Sequence, residues 1–229
     1  MRRLRGFLDR TRVLAALLAA IAAVSVAGAY WAALAQHGPE PSASVMELKP
    51  VLRVYKNGKL VYEKIGDPPL ENFGKVLAAI LTDQQQTLIA TGGSGYTLGH
   101  GQSADALVGK ADGTGTPSQP PVILVGTITG SVTYNTYKLD TVASSAQVQT
   151  DYIGWNSNNT VFIIRVKAAL TFSGNYSINA IGLEIRPAID GGTRPILVFA
   201  DKLPNPINVT NTDSLSVVYE IDIEWPQGG

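Results

Sequence analysis

The last strand-like stretch of the chain, residues 215–225, places the strongest constraint on the fold. It reads LSVVYEIDIEW, and every second residue is apolar. A period of two over this length predicts a β-strand with one buried and one solvated face. Burying six large apolar side chains contributes about 10 kcal/mol before entropy is counted, so a second layer of structure must cover this face. The apolar positions are Leu215, Val217, Tyr219, Ile221, Ile223 and Trp225.

Ahead of this stretch the chain consists of short apolar segments separated by Gly, Asn and Pro. Such a pattern is typical of strands joined by turns. One helix interrupts it, predicted at about residues 68–82, with Asp67 as N-cap and Pro68 in the first turn. The sequence therefore predicts an all-β fold, a β-sandwich or jelly roll with one short packed helix. The predicted strands include residues 122–125, 132–139, 146–153, 160–172, 175–186 and 196–200.

The amino-terminal residues 1–35 have the layout of an export signal. Five arginines precede residues 13–35, an uncharged, alanine-rich run. Ala33-Leu34-Ala35 predicts cleavage between Ala35 and Gln36. The run is also long enough to cross a bilayer, so an uncleaved membrane anchor is the competing interpretation. Both predict that the rest of the chain is secreted and lies at the extracellular cell surface, touching the membrane only through this segment.

Residues 36–50 form a second distinct segment. A flexible start containing Pro39 and Pro41 leads into an extended amphipathic stretch. Asn57-Gly58 predicts a hairpin between residues 52–55 and 60–62, which leaves residues 44–49 without an obvious partner in their own chain. We therefore expect residues 36–50 to be a donor strand for another molecule and residues 51–229 to be the β-sandwich domain. The candidate donor residues are Val45, Met46, Leu48, Pro50, Leu52 and Val54.

Composition argues against several kinds of chemistry. Eighteen basic and eighteen acidic residues balance, so nothing predicts a nucleic acid partner. The absence of cysteine excludes disulfides, thiol catalysis and cysteine metal sites. His37 and His100 are the only histidines, and the glycine-rich residues 92–119 lack phosphate-loop spacing. We expect no enzyme activity, no cofactor and no resident metal.

Two surface features leave other interpretations open. Glu220, Asp222 and Glu224 share a strand face, a spacing compatible with paired hydrolytic carboxylates but also with an ordinary solvated face. A calcium site could involve these carboxylates or Asp190. Aromatic residues suggest a carbohydrate-binding platform or ordinary sheet positions. They are Tyr134, Tyr137, Tyr152 and Trp155.

Three Asn-x-Ser/Thr triplets fall at predicted turns. They begin at Asn158, Asn175 and Asn208. In a secreted chain such triplets are candidate N-glycosylation sites.

Together these features support two resemblances. An export signal, a free amino-terminal strand, a cysteine-free β-sandwich and Asn-linked sequons resemble the subunits of archaeal extracellular threads, which are pilus-like filaments. That resemblance implies donor-strand complementation, in which each subunit inserts its amino-terminal strand into an identical neighbour. Residues 175–225, containing NYSINAIGLEIRP, ILVFADKLPNPINV and DSLSVVYEIDIEW, are more weakly similar to the carboxy-terminal β-module of some phage virion proteins.

The expected function is thus that of a structural subunit of an extracellular filament that polymerises head to tail. One alternative is a surface-tethered carbohydrate- or ligand-binding module. The other is a virion or tail-type structural protein.

Overall fold

The computed structural model describes residues 47–82, 84–98 and 119–224, and within them the protein is all-β with one short helix. The predicted fold class is confirmed at this level. Leu215, Val217, Tyr219 and Ile223 of the last strand are buried, as the alternation predicts. The elements are β1 Glu47–Lys56, β2 Lys59–Ile65, α1 Glu71–Thr82, β3 Gln86–Ile89, β4 Gly95–Leu98, β5 Gln119–Thr127, β6 Thr141–Gln147, β7 Gln149–Trp155, β8 Val161–Thr171, β9 Tyr176–Arg186, β10 Ala188–Ile189, β11 Gly192–Thr193, β12 Ile196–Val209 and β13 Ser214–Glu224.

The strands form two larger and two smaller sheets. A five-stranded sheet has the order β2-β1-β13-β8-β7, and a four-stranded sheet has the order β12-β9-β5-β6. The pairs β3-β4 and β10-β11 form small two-stranded sheets. The pairs β1-β2, β5-β6, β5-β9 and β9-β12 are antiparallel. For the successive strands β1-β2 and β5-β6, this is the pairing expected of directly connected neighbours.

Internal contacts divide the chain into two compact units. The larger contains Pro50–Asp151 and Arg165–Glu220. The smaller contains, among the described residues, 47–49, Tyr152–Ile164 and 221–224. Strands β1, β7, β8 and β13 have residues in both units.

Tyr219 shows how the predicted buried face of β13 is covered. Its side chain is fully buried, and its ring lies 6.2 Å from that of Phe199 on β12. Its hydroxyl oxygen lies 3.3 Å from the carbonyl oxygen of Ile181 on β9. The four-stranded sheet therefore supplies the second layer that the alternation of β13 requires.

The helix begins later than predicted. Glu71–Thr82 is helical, so Asp67 is not the N-cap and Pro68 is not in the first turn. The Leu70 amide donates instead to the carbonyl of Val198, at 3.0 Å. This bond to β12 satisfies the amide just before the helix, and it leaves the Asp67 carboxylate free to turn toward β2 and β12.

Three strand predictions differ from the structure. Residues 132–139 form a loop, because the Asp140 carboxylate and local threonine hydrogen bonds fix turns there instead of a ladder. Residues 146–153 are not one strand but the end of β6 and the start of β7, which belong to different sheets. At the break, the Val148 amide donates to the Pro121 carbonyl, at 2.9 Å. Strand β12 extends beyond residue 200 to Val209, as it continues to pair with β9.

Candidate functional site

The predicted donor residues that are described lie within their own sheet. Leu48, Pro50, Leu52 and Val54 belong to β1, which runs between β2 and β13. Leu52 and Val54 are fully buried. Their role as a donor to a neighbour is therefore corrected, because the strand is an interior member of its own sheet. Val45 and Met46, like residues 1–35 with Ala35 and Gln36, lie outside the described residues.

Pro50 marks the point where β1 loses its partner on one side. The register with β2 begins at Val51, opposite Ile65. The Pro50 carbonyl accepts a hydrogen bond from the Gly66 amide, at 2.7 Å. Proline, which has no backbone N–H to donate, is tolerated at position 50 because the backbone pairing of β1 with β2 begins only at Val51. The predicted boundary between the donor segment, residues 36–50, and the sandwich domain, residues 51–229, thus falls inside β1.

Strand β2 forms one edge of the five-stranded sheet. No other described strand pairs with its outer side. Three of its apolar side chains are exposed: Leu60 by 44 %, Val61 by 43 % and Ile65 by 69 %. Because an exposed apolar edge is a template for adding another strand, β2 is the candidate interaction edge of this sheet.

A row of charged side chains crosses the outer face of the same sheet. We call it the charge ladder, and it contains one residue from each strand. Glu63 accepts from Arg53 Nε at 2.7 Å, and Arg53 Nη1 lies 3.1 Å from Glu220 Oε1. Glu220 also contacts Arg165, whose Nη1 lies 3.8 Å from Asp151 Oδ2. The ladder residues, in sheet order, are Glu63, Arg53, Glu220, Arg165 and Asp151.

Glu220 departs from the predicted solvated face of β13. It is only 5 % exposed, because Arg53 and Arg165 cover it from both sides. Glu224 instead pairs with Lys49, at 2.7 Å. Two guanidinium groups engage Glu220, so its carboxylate serves as an ion-pair partner in this structure.

A second polar group, which we call the Asp201 cluster, is buried at the inner side of β2. It consists of Lys64, Asp67, Asp201 and Tyr219. Asp201 is 1 % exposed and accepts two hydrogen bonds. The Asp67 amide donates to its Oδ1 at 2.7 Å, and the Tyr219 hydroxyl donates to its Oδ2 at 2.8 Å.

Lys64 completes the Asp201 cluster. Its Nζ lies 3.2 Å from Asp201 Oδ1 and 3.1 Å from Asp67 Oδ1. Lys64 is opposite Leu52 in the β1-β2 register, so its side chain leaves the strand on the face of the buried Leu52. This position brings an amine to a carboxyl group that the core excludes from water.

Burial dominates the protonation of the Asp201 cluster. It raises the pKa of Asp201 above its usual range, against the opposing hydrogen bonds from Asp67 and Tyr219 and the charge of Lys64. Burial also raises the pKa of Tyr219 well above its usual value, so the hydroxyl keeps its proton. Burial lowers the pKa of Lys64, but attraction to Asp201 and Asp67 outweighs it and the net pKa is raised.

The sequence did not point to the Asp201 cluster. Its one signal is a carboxylate, Asp201, that directly follows the apolar run of residues 196–200 without a turn residue between them. A charge that continues a buried strand needs a partner. Neither Lys64 nor Asp67 could be assigned as that partner without the tertiary structure.

The remaining candidate residues are spread over the surface. Tyr134, 71 % exposed, lies in the loop after β5, and Tyr137 lies in the same loop. Tyr152 and Trp155, 39 % and 41 % exposed, lie on β7. Within the described residues no cluster of three or more acidic or histidine side chains could hold a metal ion. Asp190, the further calcium candidate, occupies the turn between β10 and β11 with φ 50°.

The three glycosylation candidates are exposed. Asn158 lies in the turn between β7 and β8, Asn175 precedes β9, and Asn208 lies near the end of β12. Their modification stays a prediction. His37 and His100 lie outside the described residues, and so does most of the glycine-rich stretch.

Comparison of the chain with protein-family models, with curated proteins and with solved structures finds no match. Across the described residues, none of the helical structure has the length and apolarity needed to cross a membrane.

Proposed function

We propose that this protein is a structural subunit of an extracellular cell-surface filament, which polymerises head to tail through its amino-terminal segment. The two larger sheets are the layers of a β-sandwich or jelly roll in this proposal. The observation that carries the proposal is the exposed apolar edge of β2. The export-signal layout of residues 1–35 supports secretion of the subunit.

The donor in this proposal is the segment before β1. Because β1 from Glu47 onward already belongs to its own sheet, the donor in this proposal consists of residues 36–46. Its last residues, Val45 and Met46, are apolar, and the prolines at 39 and 41 confine the strand to its second half. Residues 42–46 fully extended span about 17 Å. That length suits a short strand added to an edge.

The acceptor is the outer edge of β2 on the next subunit. Backbone hydrogen bonds along β2 supply affinity, and the exposed Val61 and Ile65 pack against the apolar donor side chains. A segment that enters β1 directly cannot also reach the far side of its own β2 without reversing over the sheet. Donor and acceptor therefore belong to different molecules, and because they are different surfaces the contact does not close on itself.

Electron microscopy of the purified chain tests this proposal. Deletion of residues 36–46 should abolish filaments while circular dichroism keeps the β-sheet signal. Val61→Lys and Ile65→Lys together should also abolish them, since lysine on an edge blocks strand addition. Val142→Lys is the matched control, because Val142 is 53 % exposed on β6, an edge of the other sheet. Filaments that survive both the deletion and the β2 substitutions contradict the proposal.

A carbohydrate-binding module is the second candidate function, favoured by the aromatic residues of β7. Tyr152 and Trp155 are both partly exposed, and the Tyr152 hydroxyl donates to the Trp155 carbonyl, at 2.7 Å. The rings of Trp155 and Phe162 also pack edge to face, with their centroids 5.3 Å apart. If this function is correct, Trp155→Ala removes retention on a polysaccharide column, whereas deletion of residues 36–46 has no effect on it.

A further inference from the structure

The Asp201 cluster places an amine, a buried carboxyl group and a second carboxylate within hydrogen-bonding distance of one another. Lys64 Nζ contacts Oδ1 of both Asp201 and Asp67. An ion pair in such a site retains charges that burial opposes, whereas condensation removes them. We propose that Lys64 and Asp201 become joined by an intramolecular amide bond, formed by the folded chain without any other enzyme.

The reaction converts the Lys64 ammonium and the Asp201 carboxylate into an amide and one water molecule. A bond forms between Lys64 Nζ and Asp201 Cγ, and the bond from Cγ to Oδ1 breaks. Two protons leave the ammonium and depart with Oδ1 as water. No oxidant, reductant or activating group is consumed, so the folded chain contains every reactant.

Asp67 is the proton carrier. Its carboxylate oxygen lies 3.1 Å from Lys64 Nζ, within reach for accepting the ammonium proton and exposing the nucleophilic lone pair. It then delivers that proton to the departing Oδ1. Asp67 also donates its backbone amide to this same oxygen of Asp201, at 2.7 Å. One residue thus contacts both the nucleophile and the leaving oxygen.

Tyr219 stabilises the charge that develops during attack. Its hydroxyl donates to Asp201 Oδ2, the oxygen that remains as the amide carbonyl. A donor already aimed at this atom in a water-excluded site favours the tetrahedral intermediate. Because burial raises the pKa of Tyr219, the hydroxyl stays protonated for this purpose.

Gly66 allows the close approach of these groups. A Cβ at this position would lie 3.1 Å from Asp201 Oδ1 and 3.3 Å from the Pro50 Cβ. A side chain would therefore push the Asp67 amide away from the Asp201 carboxyl group.

The bond would connect β2 to β12, and so link the two larger sheets covalently. The chain contains no cysteine, so disulfides cannot supply such a link. A cross-link between residues far apart in sequence restricts the unfolded chain and opposes unfolding. This inference does not depend on filament formation and applies equally to a monomeric protein.

Mass spectrometry of a tryptic digest tests the bond in the unaltered full chain. Trypsin does not cleave at an amide-linked lysine, so the proposal expects a branched peptide joining residues 60–75 to residues 168–202. Its mass, after deglycosylation, equals the sum of the two peptides minus one water. The branched peptide should account for most of the protein. Recovery of most Lys64 in the unmodified peptide of residues 60–64 overturns the proposal.

Substitutions assign the roles within the cluster. Lys64→Arg retains a cation but should give no branched peptide and should migrate differently on a denaturing gel. Asp67→Asn should slow bond formation in the newly synthesised chain by at least about tenfold, since it removes the base. Tyr219→Phe, which loses only the hydroxyl, should also slow it. Unchanged rates in both variants, with circular dichroism showing folded protein, overturn the mechanism.

Discussion

Arg53 on β1 and Glu220 on β13 form an ion pair across the outer face of the five-stranded sheet, with Nη1 and Oε1 3.1 Å apart. The two residues are 167 positions apart in sequence. Glu220 also contacts Arg165 on β8, so one carboxylate connects three strands. The central strand β13 is therefore held to both neighbours by side chains as well as by backbone hydrogen bonds.

We expect Glu220→Gln to destabilise the fold by about 2 kcal/mol, because it leaves two guanidinium groups without their shared carboxylate. Urea unfolding followed by circular dichroism measures the effect. Glu224→Gln is the matched control on the same strand, since Glu224 and its partner Lys49 are 39 % and 32 % exposed and water screens the pair. Equal urea midpoints for the two variants would show that the charge ladder contributes no more to stability than an exposed ion pair does.

Gly126→Ala should be among the most damaging single substitutions. A Cβ at this position would lie 1.8 Å from the carbonyl oxygen of Thr141, at the register shift between β5 and β6. Backbone must move to admit a methyl group, so we expect a loss of about 3 kcal/mol or more. Thermal unfolding measures it. Gly130→Ala, with no atom within 4 Å of its Cβ, serves as the control and should change stability little.

Asn57 joins the β1-β2 turn to the loop before β13. Its Nδ2 donates to Asp213 Oδ1 at 2.7 Å, and its backbone has φ 49°. Asn57→Gly removes the hydrogen bonds but accepts this backbone angle, whereas Asn57→Ala removes the bonds and adds strain. We expect the alanine variant to be less stable than the glycine variant by about 1 kcal/mol, measured by urea unfolding. A glycine variant that is the less stable of the two would contradict this account.

Glu184 should make stability fall as pH rises. Burial raises its pKa above the ordinary value of 4.5, although the hydrogen bond from Arg186 opposes this. Between the ordinary and the raised pKa the folded protein binds more protons than the unfolded chain, so the contribution of Glu184 decreases with pH. The stability of Glu184→Gln relative to the wild type should therefore improve from about pH 4 toward pH 7, as urea midpoints will show.

Asp151→Asn should show the opposite dependence of stability on pH. The hydrogen bond from Lys167 lowers the pKa of Asp151, so its contribution is present above the ordinary value of 3.8 and is lost as pH falls. The stability of Asp151→Asn relative to that of the wild type should therefore increase as the pH is lowered. If the two variants show slopes of the same sign, the assignment whose predicted sign is not observed is wrong.

Local patterns predicted much of the fold. The Asn57-Gly58 hairpin is confirmed, with both residues at positive φ, and so are β8 and β9 to within about one residue. The prediction of a strand at residues 132–139 was wrong, since Val132 and Tyr134 alternate with polar residues but local hydrogen bonds favour turns. The predicted donor residues from Leu48 to Val54 have the alternation of a strand, yet that alternation does not say which strand lies alongside.

The sequence by itself determined most of the strand segments, which face of β13 is buried, and the places of the Asn57-Gly58 hairpin and of one short helix. These properties depend on neighbours a few residues apart. Only the tertiary structure decided that β1 lies between β2 and β13, that Glu220 is buried, and that Asp67 meets Asp201 across 134 positions of sequence. A period of two specifies the face of a strand but not its partner, so contacts between distant segments become visible only when the sheets assemble.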